Sequence, residues 1–145
     1  PLRWEAPKLL SFIRGEGAPL ELNFAFVYTM EAHAADKWPM KWAVEWPEPA
    51  TLAERVACAK KCDEDLGWSP EVSLFVDDMR NSFCHAFGAW PAGCFVLSPS
   101  RELLFVGQPQ TYDVFFDIEE LFRFLRETPS ETPIQQAPSP AIAGA

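Results

Sequence analysis

"LNFAFVYTMEAHAADKW" (Leu22–Trp38) decides how the chain reads. Residues 22–30 are aromatic, aliphatic and β-branched almost without a break, the pattern of a central strand buried on both faces. A polar loop follows at once and carries Glu31, His33 and Asp36. Open α/β sheets place their sites beyond the carboxyl ends of their strands. An acid, an imidazole and a second acid at that point read either as a site or as a solvated strand end.

Upstream, residues 5–14 (EAPKLLSFIR) predict a short helix. Pro7 suits its first turn, Gly15 and Gly17 end it, and Leu9, Phe12 and Ile13 form its apolar face. Downstream, Trp38, Trp42, Trp46 and the prolines up to Pro49 mark an ordered loop with a short strand at 42–46 (WAVEW). Thr51-Leu52-Ala53-Glu54 is a capping box, which starts a helix running to Leu66 and stopping at Gly67. Leu52, Val56, Ala59, Cys62 and Leu66 are its expected inward residues. Residues 72–77 (VSLFVD) form a second core strand ending in Asp77 and Asp78, and a short helix follows at 80–88. Strands at 94–97 and 102–106, joined by SPSR, make a hairpin. A last helix spans 117–127, with Asp117 and Glu120 in the capping pattern and Leu121, Phe122 and Leu125 as its stripe. Residues 128–145, rich in Pro, Ser, Gln and Ala, read as a disordered tail.

The resulting order, α-β-α-β-α-β-β-α, describes an α/β thioredoxin-like sandwich with an insertion after the first visible strand. Such a fold would lack here its N-terminal strand, with the loop that carries the nucleophile. The 145 residues suffice for one core. A formal net charge of -9, with no basic cluster, argues against nucleic acid as a partner. No stretch approaches the roughly 20 apolar residues of a membrane span, which favours a soluble, cytoplasmic setting for this segment.

Cys58, Cys62, Cys84 and Cys94 lack C-x-x-C spacing for zinc or dithiol chemistry. Cys58 and Cys62 share a helix face, where their geometry suits a disulfide poorly. Asp77 and Asp78 could pair as acids or metal ligands, but more simply end a strand and cap the next helix. His85 reads as structural or exposed, Asp36 as a loop brace. Pro91, just before a core strand, is a candidate cis proline.

"VYTMEAHAADKW" resembles the V-Y-x-x-E-A-H-x-x-D-G-W signature of the iodothyronine deiodinase family. "LAERVACAKKC", "LFVDDMRN", "AWP" and "ELLFVG" follow in the family's order, and the likeness covers roughly residues 1–127. It implies a thioredoxin-like fold whose insertion is the Trp-rich loop. It also implies a selenocysteine or cysteine nucleophile upstream of Pro1, within a residue or two of it, as an in-frame selenocysteine codon read as a stop would leave. No bound cofactor is implied; a thiol reductant would serve as co-substrate. By the same resemblance His33 and Glu31 are the catalytic residues, Trp38 and Pro91 line the substrate side, and a homodimer is possible. The sequence departs from the pattern at Lys37 (family Gly), at Pro49 (a second family His) and at Gly93 (family Arg).

The implied activity of the intact protein is reductive dehalogenation of an aromatic, iodothyronine-type substrate. A peroxide- or disulfide-reducing redoxin is the alternative enzyme. A non-catalytic thioredoxin-like binding module, with the Trp-rich loop as its contact surface, is the alternative of another class.

Overall fold

The computed structural model describes residues 2–40, 45–107 and 116–128. The chain is α/β. In order it forms α1 (Leu2–Arg14), a 3-10 turn (Ala18–Leu20), β1 (Phe24–Tyr28), α2 (Leu52–Leu66), β2 (Val72–Val76), α3 (Ser82–Phe87), β3 (Cys94–Leu97), β4 (Leu103–Gly107) and α4 (Ile118–Glu127).

The strands form two pairs rather than one sheet among the described residues. β1 and β2 are parallel, with Tyr28 opposite Val76, and β3 and β4 are an antiparallel hairpin with an irregularity at Val96/Leu97. The parallel register brings the carboxyl ends of β1 and β2 side by side, so that the Asp77 N–H donates to the carbonyl of Tyr28 at 2.9 Å.

Helix α1 is the seam between two apolar clusters. Phe12 stacks on Phe122 with ring centroids 4.4 Å apart, in a cluster with Ile118, Leu121 and Leu125 that Cys94, Val96 and Phe105 close from the hairpin. Ala6 joins Trp68 and Val72 in the second cluster, against Phe26 and Leu66. Leu9 and Phe24 belong to both. Burying a side chain of this size stabilises by roughly 1.5–3 kcal/mol, so the two pairs of strands are held together mainly through α1 and α4. Gly17 closes the turn after α1. A Cβ there would stand 2.8 Å from the Phe12 ring, so only glycine lets the chain pass so close.

Several expectations are corrected. Helix α1 begins at Leu2, which puts Pro7 inside the helix instead of in its first turn. β1 is shorter than 22–30 and is not buried on both faces. Phe24, Phe26 and Tyr28 turn inward toward the apolar clusters, while Ala25, on the opposite face, is exposed. Trp42 and Val44 of the expected 42–46 strand lie outside the described residues, and Glu45 and Trp46 form a bend. On α2, Leu52 is exposed and Arg55 is buried in its stead. The tail from 129, and residues 108–115, also lie outside the described residues.

The caps match the residue types. The Thr51 hydroxyl accepts from the Glu54 N–H at 3.2 Å, and the Glu54 carboxylate accepts from the Thr51 N–H at 3.1 Å. Gly67 ends α2 at φ 65°, a conformation that favours glycine. Asp117 caps α4 by accepting from the Glu119 and Glu120 N–H groups. Among the described residues no helix is long and apolar enough to cross a membrane.

Candidate active site

β1 delivers its last residue, Tyr28, to a buried position and then releases the chain into the E-A-H turn. The Tyr28 hydroxyl donates to Glu31 Oε2 at 2.8 Å. Burial, and then the Glu31 carboxylate beside it, push the ionisation of the phenol well above its ordinary value. Tyr28 therefore stays a neutral donor throughout the physiological range.

Two residues on, His33 leans against Trp38. The ring centroids are 4.9 Å apart at a 55° tilt, and Nδ1 lies 3.3 Å from the Trp38 carbonyl oxygen. A carbonyl only accepts, so this contact puts a proton on Nδ1. Trp38 is 59% exposed, which excludes core packing as its role and presents an aromatic face beside the imidazole. In the structure the Glu31 carboxylate takes the tyrosine hydroxyl, because Tyr28 and Glu31 meet across the strand end.

The insertion loop returns onto this turn. The Ala35 N–H donates to the Trp46 carbonyl at 2.9 Å, and the Glu48 N–H donates to Asp36 Oδ1 at 2.7 Å, so Asp36 braces the loop. The Glu48 carboxylate accepts from the Glu31 N–H; its burial, outweighing the nearby Arg55, pushes its carboxyl up. The Trp46 indole N–H reaches the Tyr28 hydroxyl at 3.3 Å, and Lys61 Nζ lies 5.3 Å from the Trp46 ring centroid. Cys58 belongs to the same neighbourhood. Burial first, then the carboxylates of Glu31, Glu54 and Glu48, raise its thiol and keep it protonated.

The neighbouring strand end is built for support. Asp77, buried, accepts from the N–H groups of Asp78, Phe83 and Cys84 at 2.9–3.0 Å, and Asp78 accepts from Arg80, from the Ser82 N–H and from the Ser82 hydroxyl. Arg55, 2% exposed, donates to the Asp78 carbonyl at 2.6 Å and to Asn81 Oδ1 at 2.8 Å. The two aspartates thus serve α3 and its entry turn, and no cluster of metal-ligating side chains occurs among the described residues. His85 is exposed. The Trp90–Pro91 peptide bond is cis, and so is Ser69–Pro70, which the sequence reading did not single out.

Sequence reasoning missed Tyr28, Trp46 and Arg55 as determinants of these two ends. The first had a signal, a lone tyrosine three residues before Glu31; the other two act across 18 and 26 residues of chain.

The family model described as iodothyronine deiodinase matches residues 18–128. The type I iodothyronine deiodinase of Xenopus laevis is 30% identical over 79 residues, covering 54% of this chain and 30% of the frog protein. The thyroxine 5-deiodinase of Sus scrofa is 29% identical over 96 residues, covering 65% of this chain and 30% of the pig protein. The matched part is thus about a third of each relative's length. The match holds the E-A-H turn, both strand pairs, α2 and α4, and the chain belongs to the iodothyronine deiodinase family.

Proposed function

We propose that the intact protein is a selenol- or thiol-dependent oxidoreductase that removes iodide reductively from an aromatic, iodothyronine-type substrate. The observation that carries this reading is the close grouping of Tyr28, Glu31, His33 and the exposed Trp38 at the end of β1, in a chain of this family. The nucleophile is a selenocysteine or cysteine ahead of Pro1.

The selenolate or thiolate takes the iodine of the aryl iodide, and the carbon that loses it takes a proton, giving the arene and a selenenyl or sulfenyl iodide. Two equivalents of a thiol reductant then regenerate the selenol or thiol, with release of iodide, a proton and a disulfide. His33 is the proton donor, through Nε2. Glu31 is held at the same turn by the Tyr28 hydroxyl. Trp38 stacks on the aromatic substrate, and Pro91 lines the substrate side of the nucleophile.

The test is turnover by the intact protein with a dithiol reductant, offered an iodothyronine or a peroxide. Dithiol-dependent iodide release is the expected result. Peroxide consumption without iodide release would replace this reading with a peroxide reductase, and no turnover of either would favour a binding module.

A further inference from the structure

We propose that Trp46 is a positioning residue for Glu31, acting through Tyr28. This rests on the reading of Glu31 as part of the site. A phenol hydroxyl has one proton, and the direction of that proton is set by what surrounds the oxygen. At Tyr28 the surroundings are asymmetric. The Trp46 indole N–H can only donate, so at 3.3 Å it occupies the oxygen's acceptor side. The hydroxyl proton is then left for Glu31 Oε2, 2.8 Å away. The chain of donors runs one way, from indole to phenol to carboxylate, and donation to the phenol oxygen makes its own proton a stronger donor.

Two main-chain contacts to the turn after His33 hold the loop, and one side chain from α2 holds the indole itself. The Trp46 carbonyl accepts from the Ala35 N–H, which ties the loop to the turn after His33. Two residues on, the Glu48 N–H is tied to Asp36 at 2.7 Å. Lys61, from α2, stands over the indole face. A tryptophan serving only as apolar filler would not need its N–H aimed at a buried hydroxyl. Among the described residues, Cys58 and Glu48 act on Tyr28 and Glu31 through charge and burial, whereas Trp46 presents to the phenol oxygen an N–H that can only donate.

The test is a double-variant cycle read on the Glu31 side-chain carboxyl carbon by NMR at neutral pH, in the intact protein. Trp46→Phe keeps an aromatic ring and removes the N–H; Tyr28→Phe removes the hydroxyl. The expected result is that each single variant shifts the Glu31 resonance. Trp46→Phe then adds nothing in the Tyr28→Phe background, because its effect passes through the hydroxyl. An unmoved resonance in Trp46→Phe, or an undiminished effect once Tyr28 is Phe, overturns the proposal. Should Trp46→Phe fail to fold, the Trp46 indole N–H signal in Tyr28→Phe decides. It moves upfield and exchanges faster if the contact is real, and stays in place if it is not. Neither readout involves turnover, so a failed deiodination assay would leave this cycle standing, and a failed cycle would leave the assay standing.

Discussion

The carboxyl ends of β1 and β2 lie side by side in one parallel pair, and both release acids, yet they do opposite work. At the β2 end, Asp77 and Asp78 spend their oxygens on backbone N–H groups of the next helix, and Arg55 closes the carbonyls behind them. At the β1 end, Glu31 is held by a tyrosine hydroxyl, and His33 rests on an exposed tryptophan. Residue type does not separate a support from the proposed site here. What differs is the partner of the first acid: Asp77 is taken by main-chain N–H groups, Glu31 by a side-chain hydroxyl.

The largest effect should come from the β2 end. Arg55→Met removes the donor to the Asp78 carbonyl and to Asn81 and should cost about 3 kcal/mol in denaturant unfolding, whereas Glu31→Gln should stay within about 1 kcal/mol. Equal losses would erase the distinction. Next, Asp77→Asn takes away a charged acceptor shared by three N–H groups. It should cost about 2 kcal/mol, with α3 melting first in amide exchange. Thr51→Ala, which removes one half of the α2 capping box, should cost about 1 kcal/mol without touching either end.

The pH dependence sharpens the contrast by its sign. The Ser82 hydroxyl and N–H hold the Asp78 carboxyl below its usual value. A depressed carboxyl contributes stability above its unfolded value, and that contribution is lost as pH falls through the lower folded one. Glu48, which accepts from the Glu31 N–H, is shifted the other way by burial. Its contribution is fully present below the unfolded value and is lost as pH rises through the raised folded one. Ser82→Ala should therefore soften the acid limb of a stability–pH curve, and Glu48→Gln should flatten the rise in cost just above it. Shifts of the same sign in both variants would contradict the assignment.

How much of this the sequence disclosed follows from range. The caps at Thr51 and Asp117 were legible because all their partners lie within a few residues. The hairpin at 94–107 was legible for the same reason, and the E-A-H turn through its family pattern. Arg55 was not, because a buried arginine on a helix face looks like a surface residue until the carbonyls of Asp78 and its neighbours arrive from 23 residues away. The Glu31–Tyr28 pairing was half legible: both residues stand in the motif, but the motif does not show that the carboxylate turns back to the hydroxyl at the strand end. The burial of β1 was misread because a continuous apolar run does not reveal which of the strand's two faces will be covered.

The central claim is that the β1 end is a reactive site and the β2 end its support. Iodide release by the intact protein, compared with its His33→Gln variant under the same dithiol, tests this most directly. The account predicts loss of turnover by roughly 10²–10⁴-fold with unfolding midpoints unchanged. Undiminished iodide release from a folded His33→Gln protein would contradict it.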